Sequence, residues 1–189
     1  MKNPSRTRRK PPDRSDDFDS PWKTLLDRWF PAFMAWFFPP IAAEIDWARG
    51  YVFLDKELQK ISRRAKEKRR HADKLVKVWR GTGEEMWVLV HVEIQAGYET
   101  DFAERMFVYY YRLFDRYRLP LASLVVLADD RPQWRPDRYQ RQLWGCELKL
   151  TFPVIKLLDY QGRLAELEVD PNPFALATAA HLLARATRK

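Results

Sequence analysis

The feature that most constrains the fold is a change of hydrophobic period along the chain. In the first third, apolar residues recur at helical spacing, whereas residues 72–79 and 86–95 alternate between apolar and polar side chains. The segment between them, Arg80 to Glu85, contains Gly81 and Gly83 and is typical of a turn. The sequence therefore predicts a β-hairpin with helices on either side of it.

Helical and strand patterns surround this hairpin. The pattern from Trp22 to Phe38 predicts a helix that Pro31 either kinks or divides and that Pro39 ends. Further helices are predicted at 53–66, 100–118 and 174–186, the last with Asn172 as its candidate cap. Further strands are predicted at 121–128 and 148–157. The order of elements is α, β, β, α, β, β, α, which indicates an α/β fold with a mixed central sheet flanked by helices.

Length and composition favour one folded unit. The chain has 189 residues, of which 46% are hydrophobic, enough for a substantial core. Residues 1–20 are charged and contain prolines, so a disordered tail is expected before a single domain at 21–189. The single cysteine, Cys146, excludes a disulfide framework, fits the cytoplasm and is expected to be buried. No apolar stretch reaches the roughly 18 residues of a membrane span.

The positive charge is concentrated in one segment. The formal net charge is +8, and residues 56–80 carry eleven basic and three acidic side chains, which accounts for the whole excess. Such a segment attracts polyanions, because phosphate contacts release condensed counterions. The alternative is a solvated basic face without a ligand, and charge alone leaves both interpretations open.

The second strand of the hairpin has two different faces. The valines of residues 86–95 share one face with Ile94, and this face is expected to lie in the core. The opposite face presents His91, Glu93 and Gln95 in succession. A purely structural strand has little reason to carry these three polar side chains together.

Matching valines across the hairpin gives a predicted register. With Val78 opposite Val88, Asp73 lies directly opposite Glu93. Opposed Cβ atoms are about 4.5–5.5 Å apart, and two carboxylates that close repel each other unless a cation bridges them. Mg²⁺, at about 2.0–2.1 Å from each oxygen, fits this gap. The alternative is that both carboxylates pair with neighbouring cations such as Lys77.

Several blocks of the sequence resemble one nuclease family. They are FLDKEL (53–58), DKLVKVW (73–79), HVEIQ (91–95), FAERMFVYYYRLFDRY (102–117), LWGC (143–146) and FPVIKLLDY (152–160). Together they resemble the recombination-promoting nuclease and transposase-like (YhgA-like) family of the PD-(D/E)XK superfamily, over roughly residues 22–185.

This resemblance implies a restriction-endonuclease-like core and a Mg²⁺-dependent DNA endonuclease, with Mn²⁺ as an alternative cofactor. Its expected role is in recombination or transposition. Asp73 and Glu93 match the metal ligands of the superfamily, and Gln95 matches a third catalytic position that is usually lysine. Glutamine can orient a water molecule but carries no charge.

An acidic residue from the preceding helix often completes the superfamily's site. Glu57 matches that position best and Asp55 is the next candidate. The alternative for both is pairing with cations on the same helix, such as Lys60.

Other residues are candidates for contact with a nucleic-acid substrate. They are Lys77, Arg69 and Arg70 in the basic segment, and Arg105 and Tyr109 on the helix after the hairpin. Arg105 and Tyr109 are four residues apart and share a helix face. The alternative for this last pair is local ion pairing and burial.

Two other functions stay open at this stage. Gln95 in place of lysine is compatible with a nucleic-acid-binding module of the same fold that lacks catalysis. A protein-interaction domain that docks through the aromatic-rich segment 22–47 is the third interpretation. We expect DNA as the partner, no membrane association and a cytoplasmic protein. Since relatives in the superfamily often form dimers, a homodimer is a further expectation.

Overall fold

The computed structural model describes the backbone of residues 16–62, 74–93 and 100–187, and the side chains of residues 21–61, 74–87 and 100–187. Most of the expected N-terminal tail, residues 1–15, lies outside the described residues. Residues 16–20, which we had included in that tail, form the first turns of a helix instead.

The described residues form six α-helices and seven strands. The helices are α1 (Asp16–Phe37), α2 (Pro39–Glu44), α3 (Asp55–Ser62), α4 (Phe102–Tyr117), α5 (Leu164–Val169) and α6 (Pro173–Ala186). The strands are β1 (Val52–Phe53), β2 (Lys74–Trp79), β3 (Glu85–Glu93), β4 (Leu121–Leu127), β5 (Arg138–Leu143), β6 (Cys146–Thr151) and β7 (Val154–Lys156). Short 3₁₀ helices cover Trp47–Arg49 and Leu157–Arg163.

Five strands form a mixed sheet in the order β1-β2-β3-β4-β7. The β1–β2 and β2–β3 pairs are antiparallel, whereas β3–β4 and β4–β7 are parallel. The helix α4 connects the parallel neighbours β3 and β4, as a crossover must. The predicted α/β class with a mixed sheet is therefore confirmed.

One face of the sheet packs on α1, α2 and α6 through an aromatic cluster. Phe33 of α1 is fully buried, and its ring centroid lies 5.1 Å from that of Phe37 and 5.2 Å from that of Phe174 in α6. Val76 and Leu124 of the sheet belong to the same buried cluster. The aromatic residues of segment 22–47 are thus largely used inside the core, which counts against that segment as a docking surface.

A kink lets α1 follow this core. The helix bends at Trp29, where φ is −131° and ψ is 32°, two residues before Pro31. Proline has no N–H to donate to the carbonyl of the preceding turn, and its ring crowds that carbonyl. The predicted kink is confirmed, and the chain breaks at Phe38 before Pro39 begins α2.

Helix α6 is capped as predicted and is tied to α1. The side chain of Asn172 accepts a hydrogen bond from the N–H of Phe174 at 2.9 Å. Its amide nitrogen donates to the carbonyl of Ala32 at 3.0 Å, a contact between residues 140 positions apart. One side chain therefore both begins α6 and holds it against α1.

The opposite face of the sheet packs on α3 and α4. Buried residues here include Leu58, Ile61, Leu75, Trp87, Phe102, Met106, Leu113, Val125 and Leu127. On α4 the buried residues are Phe102, Arg105, Met106, Tyr109 and Leu113, whereas Phe114 is 43% exposed. The guanidinium of Arg105 lies over the ring of Phe102, 5.3 Å from its centroid.

The predicted strand at 148–157 is two strands. Pro153 has no N–H for a ladder, and the chain changes partner at this point. Residues before it form β6, which pairs with β5, and residues after it form β7, which pairs with β4. The strand β5 was not predicted, because its sequence RYQRQL has no buried alternating face.

The register of the β2–β3 hairpin differs from the predicted one by two residues. Val76 lies opposite Val88 and Val78 opposite Met86, so the predicted Val78–Val88 pairing is wrong. The turn decides the register: Arg80 N–H donates to the carbonyl of Glu84 at 2.8 Å, which closes a short loop. A shift of two residues preserves the face on which each side chain lies, so hydrophobic patterning alone does not distinguish the two registers.

We predict that Phe33→Ala lowers the free energy of unfolding by about 3–5 kcal/mol, because it removes a fully buried ring from the aromatic cluster. Phe114→Ala is the matched control, since this phenylalanine is 43% exposed, and it should change stability by less than about 1 kcal/mol. Urea titration followed by circular dichroism measures both. Equal losses in the two variants would contradict the described core.

Candidate functional site

Four strand ends meet at one edge of the sheet, which we call the carboxyl edge. It comprises the start of β2 at Lys74 and the ends of β3, β4 and β7 at Glu93, Leu127 and Lys156. The parallel register places Glu93 beside Leu127 and Leu127 beside Lys156, so these three backbone positions form one row. Ligands of open α/β sheets bind at the carboxyl ends of parallel strands, so this edge is the expected position of a binding or catalytic site.

The described residues include only part of the predicted catalytic group. Asp73, Gln95, Arg69 and Arg70 lie outside the described residues. For Glu93 the backbone alone is described, as the last residue of β3. Within the parts of the chain that are described, no three His, Cys, Asp or Glu side chains come together in a way that could hold a metal ion.

The predicted direct opposition of Asp73 and Glu93 depended on the register that the structure corrects. The last described pair of the β2–β3 ladder is Lys74 opposite Val90. The cross-strand distance therefore no longer supports a bridging cation. The antiparallel hairpin still brings the start of β2 and the end of β3 to the same edge of the sheet.

Lys74 is a buried cation at this edge. It is 7% exposed, and its ammonium lies 2.6 Å from a carboxylate oxygen of Asp27 and 3.2 Å from one of Asp55. The ammonium also lies 5.2 Å from the ring centroid of Phe53. These contacts join β2 to α1 and to the start of α3. The second candidate for the helix acid, Asp55, is thus engaged with Lys74.

Glu57 forms the ion pair with Lys60 that was the alternative to a catalytic role. One of its carboxylate oxygens is 3.8 Å from the ammonium of Lys60, three residues along α3. This pair is on the helix surface, where such pairs contribute only a few tenths of a kcal/mol, roughly 0.2–0.5. The contact is weak enough to exchange, so a catalytic role for Glu57 stays a prediction.

A second buried cation, Lys156, forms an ion pair that sequence reasoning missed. Lys156 and Asp129 have side-chain exposures of 0% and 1%, and the ammonium lies 2.5 Å from the carboxylate. The ammonium also donates to the carbonyl of Trp134 at 3.1 Å, and Asp129 accepts from the N–H of Arg131 at 2.8 Å. The signals were available: two acidic residues shortly after a strongly apolar strand, and a lysine within the apolar segment 152–158.

The loop after β4 closes over this pair with ion pairs at the surface. Arg135 binds Asp159 through two hydrogen bonds of 2.8 and 2.5 Å, and Arg185 lies 3.1 Å from Asp130. The hydrogen bonds from Arg135 hold the pKa of Asp159 below its usual value. The cleft of about 470 Å³ between this loop and α6 is thus lined by arginines already matched with carboxylates.

Three of the residues that were candidates for substrate contact lie in different parts of the fold. Lys77 lies along β2 toward the turn, with its ammonium 3.7 Å from Glu85 and 5.1 Å from the ring centroid of Trp79. Arg105 and Tyr109 are 8% and 3% exposed on the sheet-facing side of α4. Burial was the alternative to substrate contact for these two residues. Contact of either residue with a phosphate backbone stays a prediction.

In the basic segment, residues 56–80, most of the described cations lie close to a carboxylate. Lys60, Lys74, Lys77 and Arg80 each lie within 4 Å of a carboxylate. Residues 63–70 carry six basic side chains and one acidic side chain, and they lie outside the described residues. Within residues 56–80, any uncompensated attraction for polyanions therefore depends mainly on these eight residues.

Comparison of the chain with protein-family models, with curated proteins and with solved structures found no match. In the described parts of the chain, no helix is both long and apolar enough to cross a lipid bilayer.

We predict that Asp129→Asn lowers the free energy of unfolding by about 3–5 kcal/mol, because it leaves the ammonium of Lys156 buried without its counter-charge. Asp130→Asn is the matched control: the side chain of Asp130 is 57% exposed, so losing its contact with Arg185 should cost about 1 kcal/mol or less. The double variant Asp129→Asn with Lys156→Met should recover part of the loss. Urea titration measures all three, and equal effects at the two aspartates would contradict the buried pair.

Proposed function

We propose that this chain is a Mg²⁺-dependent endonuclease that hydrolyses phosphodiester bonds of DNA. The observation that carries the proposal is the antiparallel β2–β3 hairpin, which brings the start of β2 and the end of β3 to one edge. Asp73 directly precedes β2 in the sequence and Glu93 is the last residue of β3. The mixed sheet flanked by helices agrees with the resemblance to the PD-(D/E)XK superfamily at the level of fold class.

The donor chemistry of the proposed site suits a hard cation. Asp73 and Glu93 would supply carboxylate oxygens, which are the ligands that Mg²⁺ prefers. When bound, Mg²⁺ would lower the pKa of a coordinated water and offset charge on the phosphate. Lys74 is already held by Asp27 and Asp55, so its charge is compensated within its own cluster.

The remaining residues would position the reactants. The amide of Gln95 would accept a hydrogen bond from the attacking water and orient its oxygen toward phosphorus. That oxygen would form the new bond to phosphorus and give up a proton to the solvent, while the bond to the leaving oxygen breaks and the leaving oxygen takes a proton from the solvent. Because Gln95 is neutral, it would not stabilise the added negative charge as a lysine would.

We predict that Asp73→Asn and Glu93→Gln each abolish Mg²⁺-dependent nicking of supercoiled plasmid and leave the fold intact. Each substitution keeps the shape of the side chain but removes the charge that holds the cation. Glu168→Gln, an exposed position on α5, is the charge-matched control and should retain full activity. The proposal fails if the double variant Asp73→Asn/Glu93→Gln nicks DNA as fast as the wild type.

A nucleic-acid-binding module without catalysis is the second candidate, and Gln95 is the observation that favours it. In that case the wild type binds DNA with a steep salt dependence but does not cleave it with Mg²⁺ or Mn²⁺. Gln95→Lys separates the two candidates further. It should raise the nicking rate if the site is catalytic, and should only tighten DNA binding if it is not.

A further inference from the structure

The hairpin formed by β5 and β6, residues Arg138–Thr151, stands apart from the five-stranded sheet, and we call it the arm. Its two six-residue strands are joined by a two-residue turn. The base of the arm packs on α4, where the ring of Tyr139 stacks on Phe107 at 4.7 Å. The outer half of the arm extends from this contact.

The arm is anchored at the end of α4 that borders the carboxyl edge. Arg141 donates a hydrogen bond to Glu104, in the first turn of α4, at 3.1 Å. The same turn contains Phe102, whose ring centroid lies 5.4 Å from that of Trp134. The carbonyl of Trp134 in turn accepts a hydrogen bond from the ammonium of Lys156, the last residue of β7. The arm therefore stands beside the edge that carries the proposed site.

The outer half of the arm forms a cleft of about 700 Å³. Sites for small ligands have volumes of roughly 300–1,000 Å³. The arm has fourteen residues, fewer than the about 20–30 that each partner contributes to a standard protein interface, so a small ligand fits it better than a protein surface. The lining combines apolar side chains with one guanidinium and one amide: Arg141, Gln142, Leu143, Trp144, Cys146 and Leu148.

The apolar side chains of this cleft are open to solvent. Leu143 is 64% exposed and Leu148 is 40% exposed. Cys146 is exposed as well, so the expectation that it is buried is wrong.

Trp144, at the tip, presents its ring to solvent from an unfavourable backbone. It is 97% exposed, and its φ is 51°, in the left-handed region. A bulky side chain is rare at such a φ, and a two-residue hairpin turn with positive φ at both residues favours Asn-Gly. Strained positions of this kind cluster at functional sites and ligand clamps.

The charges of the arm do not favour the phosphate backbone of a duplex. The arm carries three basic side chains and one acidic one, and two of the basic ones are matched with carboxylates. Arg138 lies 2.8 Å from Asp137, and Arg141 lies 3.1 Å from Glu104. Binding to a duplex through phosphates depends on several cations. The cleft offers instead an aromatic face, apolar walls and the polar groups of Arg141 and Gln142, which together suit a flat nucleobase with a polar edge.

We propose that the cleft of the arm binds an unpaired nucleobase of the DNA substrate, with the ring of Trp144 stacked on the base. In a duplex each base is stacked on its neighbours, so an aromatic side chain covers a base face only where the base is unpaired or displaced. The inference rests on the proposed function, since it takes DNA as the ligand. It narrows the substrate to single-stranded DNA or DNA with unpaired bases near the cleaved bond.

Binding to two labelled oligonucleotides in EDTA, which prevents Mg²⁺-dependent cleavage, tests the inference by fluorescence anisotropy. One is an oligothymidine of about twelve nucleotides, within the usual site size of roughly 4–16. The other has the same length but consists of abasic sites, so it keeps the phosphates and lacks the bases. The wild type should bind the oligothymidine about tenfold more tightly, because only that strand supplies a base to stack. Equal affinity for the two strands would overturn the inference.

Trp144→Asn is the decisive variant, because it removes the ring and leaves the preferred Asn-Gly turn. Its unfolding midpoint should equal or exceed that of the wild type. Its affinity for the oligothymidine should fall about tenfold, while its affinity for the abasic strand stays unchanged. Leu176→Asn is the matched control, since Leu176 is 58% exposed on α6, which packs on the other face of the sheet. If Trp144→Asn binds the oligothymidine as tightly as the wild type does, the cleft is not the site.

Cys146 provides an independent measurement, because it is the one cysteine of the chain and lines the cleft. The oligothymidine should slow its reaction with a thiol reagent, and the abasic strand should not. A thiol that already reacts slowly without DNA would also overturn the inference, since the cleft would then be filled by protein.

Plasmid nicking separates this inference from the proposed function. Base-dependent binding that Trp144→Asn abolishes, without any Mg²⁺-dependent nicking, supports the cleft and contradicts the endonuclease. Nicking that requires Glu93, with equal binding of both strands, supports the endonuclease and contradicts the cleft. A wild type that neither binds nor nicks DNA contradicts both.

Discussion

The burial of the central sheet on both faces determines where this chain can carry charge. Residues Leu124 to Leu127 of β4 are fully buried, with α1 and α6 on one side and α3 and α4 on the other. An isolated charge within such layers would be prohibitively destabilising. The two buried lysines, Lys74 and Lys156, accordingly lie at the ends of strands, where they find carboxylates from neighbouring segments.

Features that depend on local sequence could be predicted, and features that depend on competition between distant segments could not. The kink before Pro31, the strand β4 and the Asn172 cap each follow from a few adjacent residues. The hairpin register was wrong because valine pairing is satisfied equally well at a spacing of two residues, and the turn closed by Arg80 and Glu84 selects between the alternatives. No pattern in the apolar residues contains that information.

The proposed site likewise depends partly on local sequence and partly on the packing of distant segments. The sequence identified Asp73, Glu93 and Gln95 from residue type and resemblance, and the fold adds that β2 starts where β3 ends. It did not identify the Lys74 cluster, because Asp27 is 47 positions away on α1 and becomes a neighbour only through packing. The basic segment had been treated as one attractive surface. In the fold, its described cations Lys74 and Lys77 are tied to carboxylates.

The contact of Asn172 with Ala32 has a consequence for how the chain reaches this fold. The helices α1 and α6 complete the same aromatic cluster, yet they are separated by 140 residues at this hydrogen bond. Closing so long a loop costs conformational entropy before any of the packing is gained, and folds rich in such contacts form slowly. On the ribosome, the part of the aromatic face of α1 that packs on Phe174 stays uncovered until α6 has been synthesised. Apolar surface exposed in this interval favours aggregation.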